Sequence, residues 1–347
     1  MDASKVQEKV NGKTQATFPT MVDIKKVIPK HCFEPEVSTS MYYVFRDLAA
    51  VASLHLTFEW MRVSLPWYIV YAVAPVYAFL KGTFFVALFI IGHDCSHGSF
   101  SRHKLLNDVV GGVLHTALLM PYSCWKYSHR VHHKNTCNID KDELFFPLRK
   151  REILWQPENS LLWTAYLAVD SGPRSVRSYD DLIHTYVDGG RRIESVVSLM
   201  LDALWAAILY QYAVHYGWDS LLLHFVLPLI AHLLWGLVIT FLQHADDDIP
   251  WVSHEKWNYV QGQLSTVDRH YGWFHGIIHN VGTHHLHHLF PKLPHYHLEE
   301  ATLAFKKSYP HLLRVNPAPI LPSFFRLFWK YLRTRVIEDD EEVYWYR

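Results

Sequence analysis

The sequence predicts an all-α integral membrane protein: four transmembrane helices in two hairpins, with a helical cytosolic cap. Three observations predict it. Half of the 347 residues are hydrophobic, and they gather in long runs almost free of charge. The runs come in pairs joined by turns too short to hold a domain. Finally, 16 of the 25 histidines fall in two short windows, seven from His93 to His133 and nine from His270 to His297, next to the ends of those runs. Lys+Arg 33 balances Asp+Glu 33, which argues against a polybasic nucleic-acid binder or an acidic tail protein. Cys32, Cys95, Cys124 and Cys137 form no Cys-x-x-Cys pair, which suits a reducing compartment.

The elements follow in order. Residues 1–42 form a cytosolic N-terminal segment; its first 17 residues mix Lys with Asp and Glu and lack an apolar stretch, so neither a signal peptide nor a transit peptide is expected. The first span, 43–61, is the most polar, with Arg46, Asp47 and Glu59. The second, 66–92, is interrupted only by Lys81, and the third, 196–214, only by Asp202. The fourth, 221–242, has 22 residues without a formal charge. At about 1.5 Å per residue that crosses a bilayer core. The turns 62–65 and 215–219 lie on one side of the membrane. On the other lie a loop, 93–195, and the C-terminal region, 243–347. Residues 98–195 carry 13 Lys+Arg against Arg62 alone in the turns, which makes that side cytosolic. The apolar stretch Asp108 to Pro121 is too short to span and reads as interfacial or re-entrant.

Three histidine clusters share the cytosolic side. In His93-Asp-Cys-Ser-His97, an i, i+4 spacing puts two imidazoles on one helix face. The others repeat one pattern, His-x-x-His-His: His129, His132 and His133, then His284, His287 and His288. Two spans separate these repeats, so all three clusters emerge together. Eight converging imidazoles mean metal, and two ions at about four ligands each can share them; imidazole suits Fe, Zn, Cu or Ni. His244, at the cytosolic end of the last span, supplies a ninth ligand. His279 and His285 could ligate or orient ligands. His55, His115, His215, His224 and His232 read as packed or hydrogen-bonded, and His295 and His297 as a surface turn. Asp94, Asp140, Asp142 and Glu143 are candidate acceptors behind the ligands, although a solvated loop is the better reading for the last three, and Asp246 to Asp248 read as facing solvent. A non-enzymatic metal transporter would carry its ligands near the bilayer midplane instead.

The stretches His93 to Ser101, Trp125 to Asn135, LSTVDRHYG (Leu264 to Gly272) and HNVGTHHLHHLFPKLPHYHLEEAT (His279 to Thr302), with FPTMVDIKKVIPKHCF (Phe18 to Phe33), resemble the methyl-end branch of the membrane-bound fatty acid desaturase family. Ser96 and His285 depart from the residues common there, without removing a ligand. The resemblance implies a di-iron centre held by His93, His97, His129, His132, His133, His244, His284, His287 and His288, with dioxygen as co-substrate and two external electrons. Gly282-Thr-His284 and Leu289-Phe-Pro291 look more like ω3 than Δ12 desaturases; a Δ12 desaturase or a hydroxylase remains the alternative. The resemblance further implies a fatty acyl substrate, on coenzyme A or a phospholipid, and endoplasmic reticulum membrane. No His-Pro-Gly-Gly haem motif occurs, so the electron donor is expected to be separate, cytochrome b5 with its reductase.

Overall fold

The computed structural model describes residues 18–142, 148–150, 192–334, 336–339 and 341–345. Helix α1 (Met21–Val27), capped by the Thr20 side chain, leads through a 3-10 turn (Lys30–Phe33) into α2 (Val37–Ser64). Leu65 and Pro66 turn the chain into α3 (Trp67–His97). The second hairpin is α6 (Arg192–Tyr216), a turn at Gly217, and a helix that is α7 (Trp218–Leu221), a π turn (Leu222–Val226) and α8 (Leu227–His244). Between the hairpins lie α4 (Lys104–Thr116), α5 (Tyr122–Asn135) and strand β1 (Leu148–Arg149).

Among the described residues, three helical stretches are long and apolar enough to cross a membrane: Trp67–His97, Ile193–Tyr216 and Trp218–His244. Helix α2 is long enough at 28 residues, but it carries Arg46, Asp47, Glu59 and Arg62 and is not among them. The outer face of α6 leaves Ile193, Met200, Leu204 and Ile208 exposed, an apolar surface that suits hydrocarbon rather than water. The two hairpin tips meet: Arg62 Nη2 donates to Asp219 Oδ2 at 3.1 Å. Both turns therefore sit at one end of the bundle, and His97 and His244 end their helices at the other.

Several polar groups inside the bundle are paired or packed. Lys81 is buried and donates to Tyr77 Oη at 3.0 Å, and Tyr77 Oη also contacts His224 Nδ1 at 2.7 Å. His115 stacks on Phe89 at 4.6 Å, and His232 packs against the same ring. These histidines are packed or hydrogen-bonded, as expected from the sequence. At Gly82 a Cβ would lie 2.5 Å from the Pro228 carbonyl, so α3 and α8 approach in direct backbone contact there.

The C-terminal region closes the cap with α9 (Tyr259–Gln263), α10 (His284–Leu289), α11 (His295–Ser308) and the amphipathic α12 (Ile320–Thr334). The fold is not purely α. Strand β1 pairs in parallel with β3 (Val336–Ile337), and β2 (Trp251–Val252) pairs antiparallel with β4 (Val343–Tyr344). In the Asp108 to Pro121 stretch, α4 presents Leu105, Val109 and Val113 outward at i, i+4, i+8 spacing, the arrangement of a helix lying along an interface. Most of the central loop beyond Lys150, including Arg151, Arg174, Arg177 and Arg191, lies outside the described residues, as does Glu143.

Candidate metal centre

Each histidine cluster stands on a helix. The first occupies the last turn of α3, stopped by Gly98 in the left-handed region at φ 74°. The two His-x-x-His-His patterns lie on α5 and α10. Helical periodicity lets each pattern split, because its i+3 and i+4 members both neighbour the i member but, as successive residues, point about 100° apart around the helix. On α5, His129 and His133 face one way and His132 the other. On α10, His284 and His288 pair and His287 is turned aside.

The helices cross so that these faces exchange partners. One group holds His93, His97, His129, His133 and His287, their ligand atoms all within 4.8 Å of one another. The second holds His132, His244 and His288 within the same limit, and His284 joins it through Nε2, 3.0 Å from His244 Nε2. The groups abut where the His133 and His288 rings stack at 4.2 Å. All nine histidines singled out in the sequence as ligands therefore meet in two adjacent groups of five and four.

His279 and His285 stand apart from these groups. His279 Nε2 contacts the fully buried Asp47 at 2.7 Å, over 232 residues of sequence. His285 is engaged at both nitrogens, Nδ1 with Asp268 Oδ1 at 3.1 Å and Nε2 with the Arg314 backbone N–H at 3.2 Å.

Other side chains orient the imidazoles. Asp142, a candidate acceptor that the sequence favoured as solvated, is fully buried: its Oδ1 lies 2.9 Å from His132 Nδ1 and its Oδ2 accepts from the Cys137 backbone N–H. His132 Nε2 is thereby turned toward its group. Asp140 is half-buried and accepts from Arg149. Asp246 accepts from the buried Arg269 at 2.9 Å, so this acidic run does not simply face solvent; Asp247 pairs with Arg326 and Lys330. His295 is not a surface turn either. It is buried, with Nδ1 2.9 Å from Asp94 Oδ2, and Asp94 also stands beside His93.

Three contributors escaped the sequence reading. Asp268 accepts from the His284 and His285 backbone N–H groups at 2.7 and 2.8 Å, fixing the N-terminus of α10. Gln263 Oε1 and Thr136 Oγ1 contact His288 Nδ1 at 3.1 and 3.0 Å. Asp268 lies within the LSTVDRHYG stretch and Gln263 immediately precedes it, the signal that could have found them.

The site's chemistry fits metal. Burial, and then the neighbouring imidazoles, hold His129, His133, His284 and His288 well below the ordinary histidine pKa. His287 is lowered the same way, by burial first. Neutral rings present lone pairs, and at 3.0 to 3.1 Å His133 Nε2 faces both His129 Nε2 and His287 Nε2. One nitrogen cannot satisfy two such neighbours with one proton. His97 Nε2, His133 Nδ1 and His288 Nε2 are buried without a hydrogen-bond partner among the described residues. Cations at the two groups would satisfy such lone pairs.

A cavity of about 170 Å³ runs from between α3 and α8 to these histidines. Val86, Phe89, Ile90, Leu237 and Ile239 line its membrane end, and His93, His129, His284 and His287 its inner end.

Span-length apolar helices with a buried cluster of histidines at one end, reached by a largely apolar cavity, define a helical protein of membrane type whose pocket offers donors suited to metal. The sequence model of the fatty acid desaturase family matches residues 44–317, and the chain belongs to that family, whose members are oxidoreductases. It is 34% identical over 325 residues to an sn-1 acyl-lipid omega-3 desaturase (ferredoxin) of Synechocystis, covering 91% of this chain and 89% of that one. It is 33% identical to the chloroplastic omega-3 fatty acid desaturase of Glycine max, covering 94% and 74%. It is 34% identical to the endoplasmic reticulum acyl-lipid omega-3 desaturase (cytochrome b5) of Arabidopsis thaliana, covering 87% and 79%.

Proposed function

We propose that the chain is an ω3 desaturase, introducing a cis double bond near the methyl end of n-6 polyunsaturated acyl chains. The nine histidines, His93, His97, His129, His132, His133, His244, His284, His287 and His288, hold two irons. The observation that carries the reading is the apolar cavity, which opens among membrane helices and ends on those imidazoles. Iron so held supplies oxygen-dependent removal of two hydrogens, with two electrons from outside.

The protein's own part is positioning. Successive methylenes are chemically alike, so only the fit of the chain between α3 and α8 selects the carbon pair that reaches the centre. Aliphatic and aromatic walls keep water from the inner end. Trp125 stacks on His129 at 4.4 Å and closes that side. Asp142 fixes the orientation of the His132 ring, and Gln263 and Thr136 that of His288, so these two ligand nitrogens are set before metal or substrate arrives.

Helix α2 is the fourth span in this reading, its tip tied to the second hairpin by Arg62 and Asp219, and the histidine end faces the cytosol. The membrane is the endoplasmic reticulum and the donor a separate cytochrome b5 with its reductase; the names of the Synechocystis and Arabidopsis relatives supply ferredoxin and cytochrome b5 as the two donors to compare. The test is expression in yeast with eighteen- and twenty-carbon n-6 acids fed separately and double bonds located by mass spectrometry. New n-3 products support the reading. New Δ12 bonds, hydroxy acids or an unchanged profile at good expression overturn it, and loss of product in a strain lacking cytochrome b5 identifies the donor.

A further inference from the structure

Away from the nine-histidine pocket, a second set of ligand atoms converges where the N-terminal segment meets α11. His31 and Cys32 come from the 3-10 turn Lys30–Phe33, and His297 and Glu300 from α11. Their ligand atoms, two imidazole nitrogens, the thiol sulfur and a carboxylate oxygen, all lie within 4.8 Å of one another. His31 Nε2 is 2.9 Å from Glu300 Oε2 and 3.7 Å from Cys32 Sγ. From these residues we infer a zinc site: His31, Cys32, His297 and Glu300 form a four-ligand clamp that binds one Zn²⁺ and fastens the N-terminal segment to α11.

Number, type and spacing of the donors support this. Zinc takes four ligands from Cys, His and carboxylate at roughly 2.0–2.3 Å, so ligand atoms on a tetrahedron lie about 3.3–3.8 Å apart. The Cys32 to His31 distance already falls in that range, and the exposed His31 and Glu300 side chains are free to close the remainder. His297 and Glu300, at i and i+3, share one face of α11. Charge also balances, since a thiolate and a carboxylate neutralise a divalent cation between two neutral imidazoles. The sulfur separates this site from the all-nitrogen pocket and favours zinc over iron.

The position gives the clamp a purpose. Cys32 is fully buried among Leu298, Ala301 and Phe305, so a cation there would lock one edge of the cap. Helix α11 begins at His295, which grips Asp94 beside His93. The clamp would thus hold the helix that backs the first histidine cluster.

The test uses the full-length, iron-loaded protein in detergent, titrated with Co²⁺ and then Zn²⁺. Cobalt should produce a thiolate-to-metal charge-transfer band, which an all-histidine site cannot give, and zinc should abolish it at about one equivalent. Cys32→Ser should remove the band while bound iron is unchanged. His31→Gln and Glu300→Gln, at exposed positions less prone to disturb folding, should each weaken zinc binding at least tenfold by chelator competition. No band in the unsubstituted protein, a band surviving Cys32→Ser, or unchanged zinc affinity in both exposed variants would overturn the assignment.

Discussion

Asp142→Ala probes the metal centre through a residue that touches no metal. The carboxylate is fully buried, with one oxygen 2.9 Å from His132 Nδ1 and the other accepting from the Cys137 backbone N–H at 3.1 Å. A charge-assisted bond of this kind contributes about 1.5–3 kcal/mol, and leaving the Cys137 N–H buried without an acceptor costs about 1–3 kcal/mol more. The expected destabilisation is therefore roughly 2.5–6 kcal/mol. Residues that orient metal-bound histidines typically change affinity by about 10–100-fold when removed, so iron should be lost to a chelator at correspondingly lower concentration. Asp142→Asn keeps a carbonyl acceptor for His132 and should fall between. The assays are thermal melting in detergent, bound iron by elemental analysis, and desaturated product in yeast. Iron affinity and melting temperature both unchanged in Asp142→Ala would refute the reasoning that this carboxylate sets the His132 ring.

Three further outcomes follow from the same geometry. A Cβ at Gly282 would lie 1.8 Å from the Arg269 carbonyl oxygen, a backbone atom, so Gly282→Ala should cost about 1–3 kcal/mol and displace His284 two residues on, read as lower stability with lower iron content. Gly236 lines the cavity and a Cβ there meets nothing within 4 Å, so Gly236→Phe should fold yet obstruct the chain, lowering product from fed acids while iron is retained. Burial lowers His279 to about 4, mainly by desolvation and then by His295, so the unfolded chain takes up that proton at higher pH than the folded one. Stability from this group is complete above about 6.5 and lost as pH falls toward 4, by about 2 kcal/mol at pH 5; a melting temperature flat from pH 7 to 5 would contradict it.

Local spacing made much of the site legible. His129, His132 and His133 declare a helix by i, i+3, i+4, and the placement of His93 and His244 at the ends of apolar runs puts them on one side before any contact is known. The exchange of partners between α5 and α10 was not legible, because it depends on how two helices cross. Residues behind the ligands were hidden for a related reason. Asp94 and His295 meet across 201 residues, and Asp142 sits in a stretch whose polarity reads as solvent-facing. A carboxylate and the imidazole it holds need share no sequence neighbourhood. Conversely α2, whose charges make it a poor span by composition, buries Asp47 against His279, so one of those charges serves the cap.

Iron counted per chain, in the purified protein and in His97→Ala and His132→Ala, tests the central claim most directly. His97 belongs to the five-histidine group and His132 to the other. Two irons in the unsubstituted protein, and fewer than two in either variant with the fold retained, is the predicted result for a centre in which all nine imidazoles are ligands. Zinc in place of iron, or two irons kept in both variants, would contradict it.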